Sequence, residues 1–147
     1  MNNDQLKFRI FDKKEKRYRG TGGDEIFMLT SDGELVFWNV RDGKHHAADK
    51  SLFVLERCTG FKDENGCLIY EGDIIETPDP AFCLSKKFFR RAVYFVPHYS
   101  KFFAMKPGSG IRHPLDSDNA LDYRVIGNIN ENNKLMDSKL SYDKYEK

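Results

Sequence analysis

From Leu6 to Ile129 the apolar residues of this chain fall in runs of four to nine, and a glycine, a proline or an Asp-Gly pair stands between one run and the next. That punctuation constrains the fold more than any other feature. A strand needs only about four to eight such residues, whereas a helix that buries one face needs apolar residues at helical spacing over roughly ten or more. No stretch keeps the helical period over three turns. The pattern predicts a mainly β protein, a small barrel or sandwich.

The runs are specific. Leu6–Phe11 alternates, with Leu6, Phe8 and Ile10 to one side and Lys7 and Arg9 to the other. Lys13–Glu25 reads as a charged, Gly-rich connection, and Asp12–Arg19 as a solvated turn. Ile26–Leu29 and Leu35–Val40 are predicted strands joined by a turn on Asp32-Gly33. Arg41–Ser51 reads as a polar loop holding His45-His46, and Leu52–Arg57 as a strand. Cys67–Tyr70, Asp73–Thr77, Phe88–Val96, Lys101–Met105 and Tyr123–Ile129 complete the set, with Pro107–Pro114 as a loop. Pro97 cannot donate to a ladder and marks the end of the longest strand. Trp38, on an apolar strand, is expected in the core. The predicted organisation is an N-terminal β segment and loop over residues 1–50, a barrel core over 51–132 and a polar tail over 133–147.

Composition narrows the class. Twelve Phe and seven Tyr in 147 residues argue against disorder. No run reaches the roughly 18 apolar residues of a membrane span, and MNNDQLKFR lacks the apolar centre of a signal peptide. The expectation is a cytoplasmic protein with no membrane partner. Cys58, Cys67 and Cys83 are odd in number and lack a CxxC spacing, so they read as reduced thiols. With His45, His46, His98 and His113 they fit no zinc spacing. No metal and no cofactor is expected.

The most organised stretch is TGFKDENGCLIYEGDIIE, Thr59–Glu76. Its carboxylates invite a catalytic or metal reading. The calcium-loop template fails, because the glycine after Asp63 comes too early and the twelfth position is Ile74. No nucleophile or oxyanion donor accompanies an acid/base pair. The residues read as turn chemistry instead. Asn65-Gly66 tolerates positive φ, Gly72 marks a sharp bend, and Asp73 bonds nearby N–H groups. On this reading Asp63 only shapes a turn, and Asp63→Asn is expected to be mild. No catalytic residue is expected.

This block resembles the signature of the YopX family of phage and prophage proteins at Thr59, Gly60, Lys62, Asp63, Asn65, Gly66, Ile69, Tyr70, Glu71, Gly72, Asp73 and Ile74. VIGNINEN (Val125–Asn132) is similar to the family's ending, and LKFRIFD to its first strand. Arg57 and Cys58 depart from the glutamine and aromatic residue that precede Thr-Gly in the family. The resemblance implies an SH3-like barrel, a mobile-element origin and a bacterial host cytosol, and it implies no enzymatic activity. The chain is then expected to be a non-enzymatic accessory module that binds an unknown host or phage protein.

Charge suggests a second partner. Residues 80–115 carry seven Lys/Arg and no Asp/Glu, while residues 21–79 carry thirteen Asp/Glu against five Lys/Arg. Within Ser85–Phe103, Lys86, Lys87, Arg90, Arg91 and Lys101 alternate with aromatic residues. Cations neutralise phosphates and rings stack on bases, so this stretch is a candidate surface for single-stranded nucleic acid. The competing reading is a core strand whose cations offset the acidic segment. Alternation puts Arg90 and Arg91 on opposite strand faces.

Overall fold

The computed structural model describes residues 3–20, 23–78 and 88–136. The chain is mainly β. Among the described residues the strands are β1 (Phe8–Asp12), β2 (Arg17–Arg19), β3 (Glu25–Leu29), β4 (Leu35–Asn39), β5 (Lys44–Ala47), β6 (Phe53–Lys62), β7 (Leu68–Tyr70), β8 (Asp73–Pro78), β9 (Phe88–Val96), β10 (Lys101–Met105), β11 (Arg112–Pro114) and β12 (Arg124–Asn128), with a short α-helix, α1 (Ser117–Ala120). They form two compact units, Arg9–Glu56 and Met1–Phe8 with Arg57–Lys147.

In the smaller unit β1 lies between β2 and the first half of β6, and a separate sheet has the order β3-β4-β5. Phe27 packs on Phe37 and Phe53, with ring centroids 5.6 and 5.2 Å apart. Ile10, Phe11, Leu35 and Ala48 are buried. The chain enters β1 through a 3-10 turn at Asn3–Leu6, so Leu6 is exposed rather than part of the predicted strand. The opposite side of β1 is not solvated either. Arg9 reaches buried Glu56 at 2.5 Å, and the Tyr18 hydroxyl donates to the same carboxylate at 3.0 Å.

The expected solvated turn at Asp12–Arg19 is instead a hairpin. Asp12 is buried and its Oδ1 accepts from the N–H groups of Lys14 and Glu15. β2 pairs antiparallel with β1, opposing Phe11 to Tyr18. Likewise the polar loop around His45-His46 is strand β5, and β11 lies within the predicted Pro107–Pro114 loop. These three strands are short edge strands rich in Arg, Lys or His. The ladder to a neighbour holds them in place, and their own composition reads as loop.

In the larger unit β7 pairs with the second half of β6, and an antiparallel half-barrel sheet has the order β11-β10-β9-β8-β12. A half-barrel is compatible with the SH3-like barrel that the resemblance implies. Ile75, Val93 and Ala104 on its inner face pack with Ile69, Leu115, Ala120 and Tyr123. Asp116 caps α1 through a reciprocal capping box with Asn119, which fixes Leu115 and Ala120 in that core. β9 and β10 have the predicted bounds and form the predicted hairpin. Their connection is a 3-10 turn at Pro97–Tyr99, closed by Ser100 in the left-handed region.

No helix among the described residues is long and apolar enough to cross a membrane.

Candidate functional site

The carboxylates of Thr59–Glu76 are the first candidates for chemistry, and each has a structural partner. Asp63 is buried. Its Oδ1 accepts from the N–H groups of Asn65 and Cys67 at 2.9 Å, and its Oδ2 from that of Val125 at 3.0 Å. It therefore shapes the β6–β7 turn and also ties that turn to β12. Asp73, also buried, accepts from the Tyr70 N–H at 2.8 Å. Glu64 pairs with Arg124, Glu71 with Arg57 and Glu76 with Arg90, at 2.5, 2.6 and 3.6 Å. The Thr59 hydroxyl donates to the Ile69 carbonyl at 2.8 Å. Gly66 and Gly72 have φ of 79° and 78°, as the turn reading requires. Gly72 also ties β9 to the residue that follows β12, since its N–H donates to Val93 and its carbonyl accepts from Ile129.

The second similar block, Val125–Asn132, is also structural. The Asn128 side chain accepts from the N–H groups of Asn130 and Glu131, and the Asn132 side chain accepts from the Asn128 N–H. No group of three or more His, Cys, Asp or Glu residues among the described residues is placed to hold a metal ion.

The basic aromatic stretch separates into parts. Lys86 and Lys87 lie outside the described residues. Arg90 and Arg91 point to opposite faces of β9, as alternation demands. Arg90 is only 13% exposed, faces Glu76, and donates to the Leu135 carbonyl at 3.3 Å. Arg91 points to the core side, bonds the Thr77 hydroxyl and lies 5.1 Å over the Phe89 ring. Its charge reinforces burial in lowering the pKa of His113. Lys101 is exposed on β10. The aromatic residues pack largely among themselves. Phe95 meets Phe102 at 5.1 Å, and the Arg57 guanidinium caps the Phe95 ring at 3.9 Å.

A surface that sequence reasoning did not single out lies on the β3-β4-β5 sheet. Residues directly opposite in a ladder share a face. The register therefore aligns Ile26, Trp38 and His45 in one row and Met28, Val36 and Ala47 in the next, on the same face. Ile26 is 41% exposed, His45 and Ala47 are exposed, and Met28, Val36 and Trp38 are half-buried. Trp38 is thus not the core residue its strand suggested. Its ring meets His45 edge-on at 4.7 Å. The other face buries Leu35 and the Phe27–Phe37 contact, so the sheet is apolar on both sides. An antiparallel sheet with one solvated face ordinarily carries polar residues there. The ends of the apolar rows are flanked by ion pairs, Asp24 with Arg41 at 2.6 Å and Glu34 with Lys50 at 3.1 Å.

The YopX protein family model matches residues 7–137. The fold is similar to that of protein EF1440 from Enterococcus faecalis, with a TM-score of 0.57 and 23% identity over 89% of this chain and 97% of that one. It is equally similar to that of protein yopX from Bacillus subtilis, with a TM-score of 0.57 and 14% identity over 89% of this chain and 98% of that one. At such identities the two likenesses speak of fold alone. No curated protein matches.

Proposed function

This chain belongs to the YopX protein family, and from that premise we propose that it is a non-enzymatic accessory module that binds another protein, encoded by a phage or prophage and acting in the cytosol of a bacterial host. The observation that carries the binding role is the exposed apolar face of β3-β4-β5, with Ile26, Met28, Val36 and Trp38 in two adjacent rows. Contiguous apolar surface with a polar rim is characteristic of protein–protein contact. Tryptophan is enriched among the residues that dominate such contacts. The engaged carboxylates of Thr59–Glu76 support the non-enzymatic part.

The test is affinity capture from nuclease-treated bacterial lysate on wild-type protein and on Trp38→Ser. Trp38 is half-buried on an open face, so the variant is expected to fold and to melt near wild type. A binding module should retain a protein that Trp38→Ser loses. Equal retention by both, or no retained protein, defeats the reading. The alternative partner is single-stranded nucleic acid, carried by Lys101 with Lys86 and Lys87. It predicts nuclease-sensitive retention that Lys101→Glu weakens and that fades steeply with salt.

A further inference from the structure

We infer that two copies of this chain join through β3, edge to edge and antiparallel, about a two-fold axis at Phe27. The first observation is the chemistry of the sheet edges. Proteins blunt exposed edges with charged side chains, above all lysine, and with prolines, bulges or short length. Among the described residues the other edges are blunted in these ways. β2 carries Arg17 and Arg19, β5 carries Lys44, and β11 carries Arg112 and Pro114. β12 has a register break at Val125–Gly127. β7 is three residues long, and its Tyr70 N–H turns back onto Asp73. β3 has five residues, Glu-Ile-Phe-Met-Leu, whose one charge, Glu25 at its first position, is paired with Arg19, and it has no proline and no break in its register with β4.

The second observation is the direction of its backbone groups. The Thr30 N–H donates to Glu34, and the Asp24 carbonyl accepts from Val40. In an antiparallel ladder these directions alternate by residue. Asp24, Ile26, Met28 and Thr30 therefore bond to β4, and Glu25, Phe27 and Leu29 present their N–H and C=O groups outward. A two-fold axis on Phe27 sets Phe27 against Phe27 of the second copy and Glu25 against Leu29 of the second copy. Every outward donor then meets an outward acceptor.

Charge agrees with this register. Glu25 meets a leucine rather than its own copy. Within its own chain it is already paired with Arg19, and neighbouring Asp24 is paired with Arg41. Ile26 comes opposite Met28 of the second copy in the non-hydrogen-bonded position, where side chains approach most closely. Both are on the exposed apolar face, so pairing extends that face across two sheets. This self-complementarity selects a second copy over an unrelated strand.

Leu29 tests the register, because it is 38% exposed and falls opposite Glu25 of the second copy, and two charged variants at this one position share the cost of losing its contact with buried Leu35. Sedimentation equilibrium compares wild type, Leu29→Glu and Leu29→Lys. Wild type is expected to dimerise reversibly. Leu29→Glu sets like charges against Glu25 of the second copy twice, and Leu29→Lys sets opposite charges there. The Glu variant should dimerise about tenfold more weakly than the Lys variant. A wild type that stays monomeric at about 0.5 mM, or equal dimerisation of the two variants, overturns the inference. Capture of a partner through Trp38 is a separate readout, so either result can fail without the other.

Discussion

Asp63 shows what a single residue can and cannot reveal in sequence. The Asp-Glu-Asn-Gly run announces a tight turn, and the turn is there. The same run suggests that Asp63 only shapes a turn and that Asp63→Asn is mild, and the structure adds a bond to a distant strand that the run does not show. Both carboxylate oxygens are occupied, and one accepts from Val125, 62 residues away. An asparagine keeps one acceptor oxygen, and its amide NH2 then faces a backbone donor. A buried N–H left without an acceptor costs about 1–3 kcal/mol. Asp63→Asn should therefore lose roughly that much stability in urea unfolding. A loss below about 0.5 kcal/mol would show that the Val125 bond is dispensable. Arg9, Arg90 and Arg91 teach the same lesson. Arginine in an alternating strand reads as solvent-facing, but each of these has a partner contributed by a distant segment.

At the scale of elements, the legible strands were those whose own residues alternate or are wholly apolar. β3, β4, β8, β9 and β10 fall within a residue or so of the predicted bounds. β2, β5 and β11 were illegible because edge strands are held by a neighbour's ladder and tolerate polar residues. The seat of β12 makes a further prediction. A Cβ on Gly127 would stand 2.6 Å from the Asn132 Oδ1, and that oxygen is fixed by the Asn128 N–H. The backbone there is not left-handed, so strain in φ is not the cause. Gly→Ala alone restricts the unfolded chain and adds about 0.4–1 kcal/mol of stability where it fits. Here the collision should win, and Gly127→Ala should destabilise by about 1 kcal/mol or more. Adding Asn132→Ala removes the obstacle, so a double-mutant cycle should return a non-additive coupling at these two positions. Additive effects would place the cost elsewhere.

At the scale of the whole molecule, the acids of Thr59–Glu76, His46 and Cys58 are engaged within the fold. The acids of Thr59–Glu76 bond backbone N–H groups or arginines. Cys58 is buried, and His46 stacks on Phe37 at 5.2 Å. An ion that bound only the native state would raise its stability by mass action. Thermal melts in EDTA and in excess zinc, calcium or magnesium are therefore expected to superimpose. A reproducible upward shift with any of these ions would reassign those side chains as ligands. The sequence by itself determined the mainly β class, the glycine-dependent turns and the longest hairpin. Those depend on alternation and on φ at single residues, which neighbours in the chain report. Only the tertiary structure decided which polar segments become edge strands, which arginines are shielded and which apolar face stays exposed. Those outcomes depend on a hydrogen-bond or packing partner from elsewhere in the chain, and local composition carries no record of that partner.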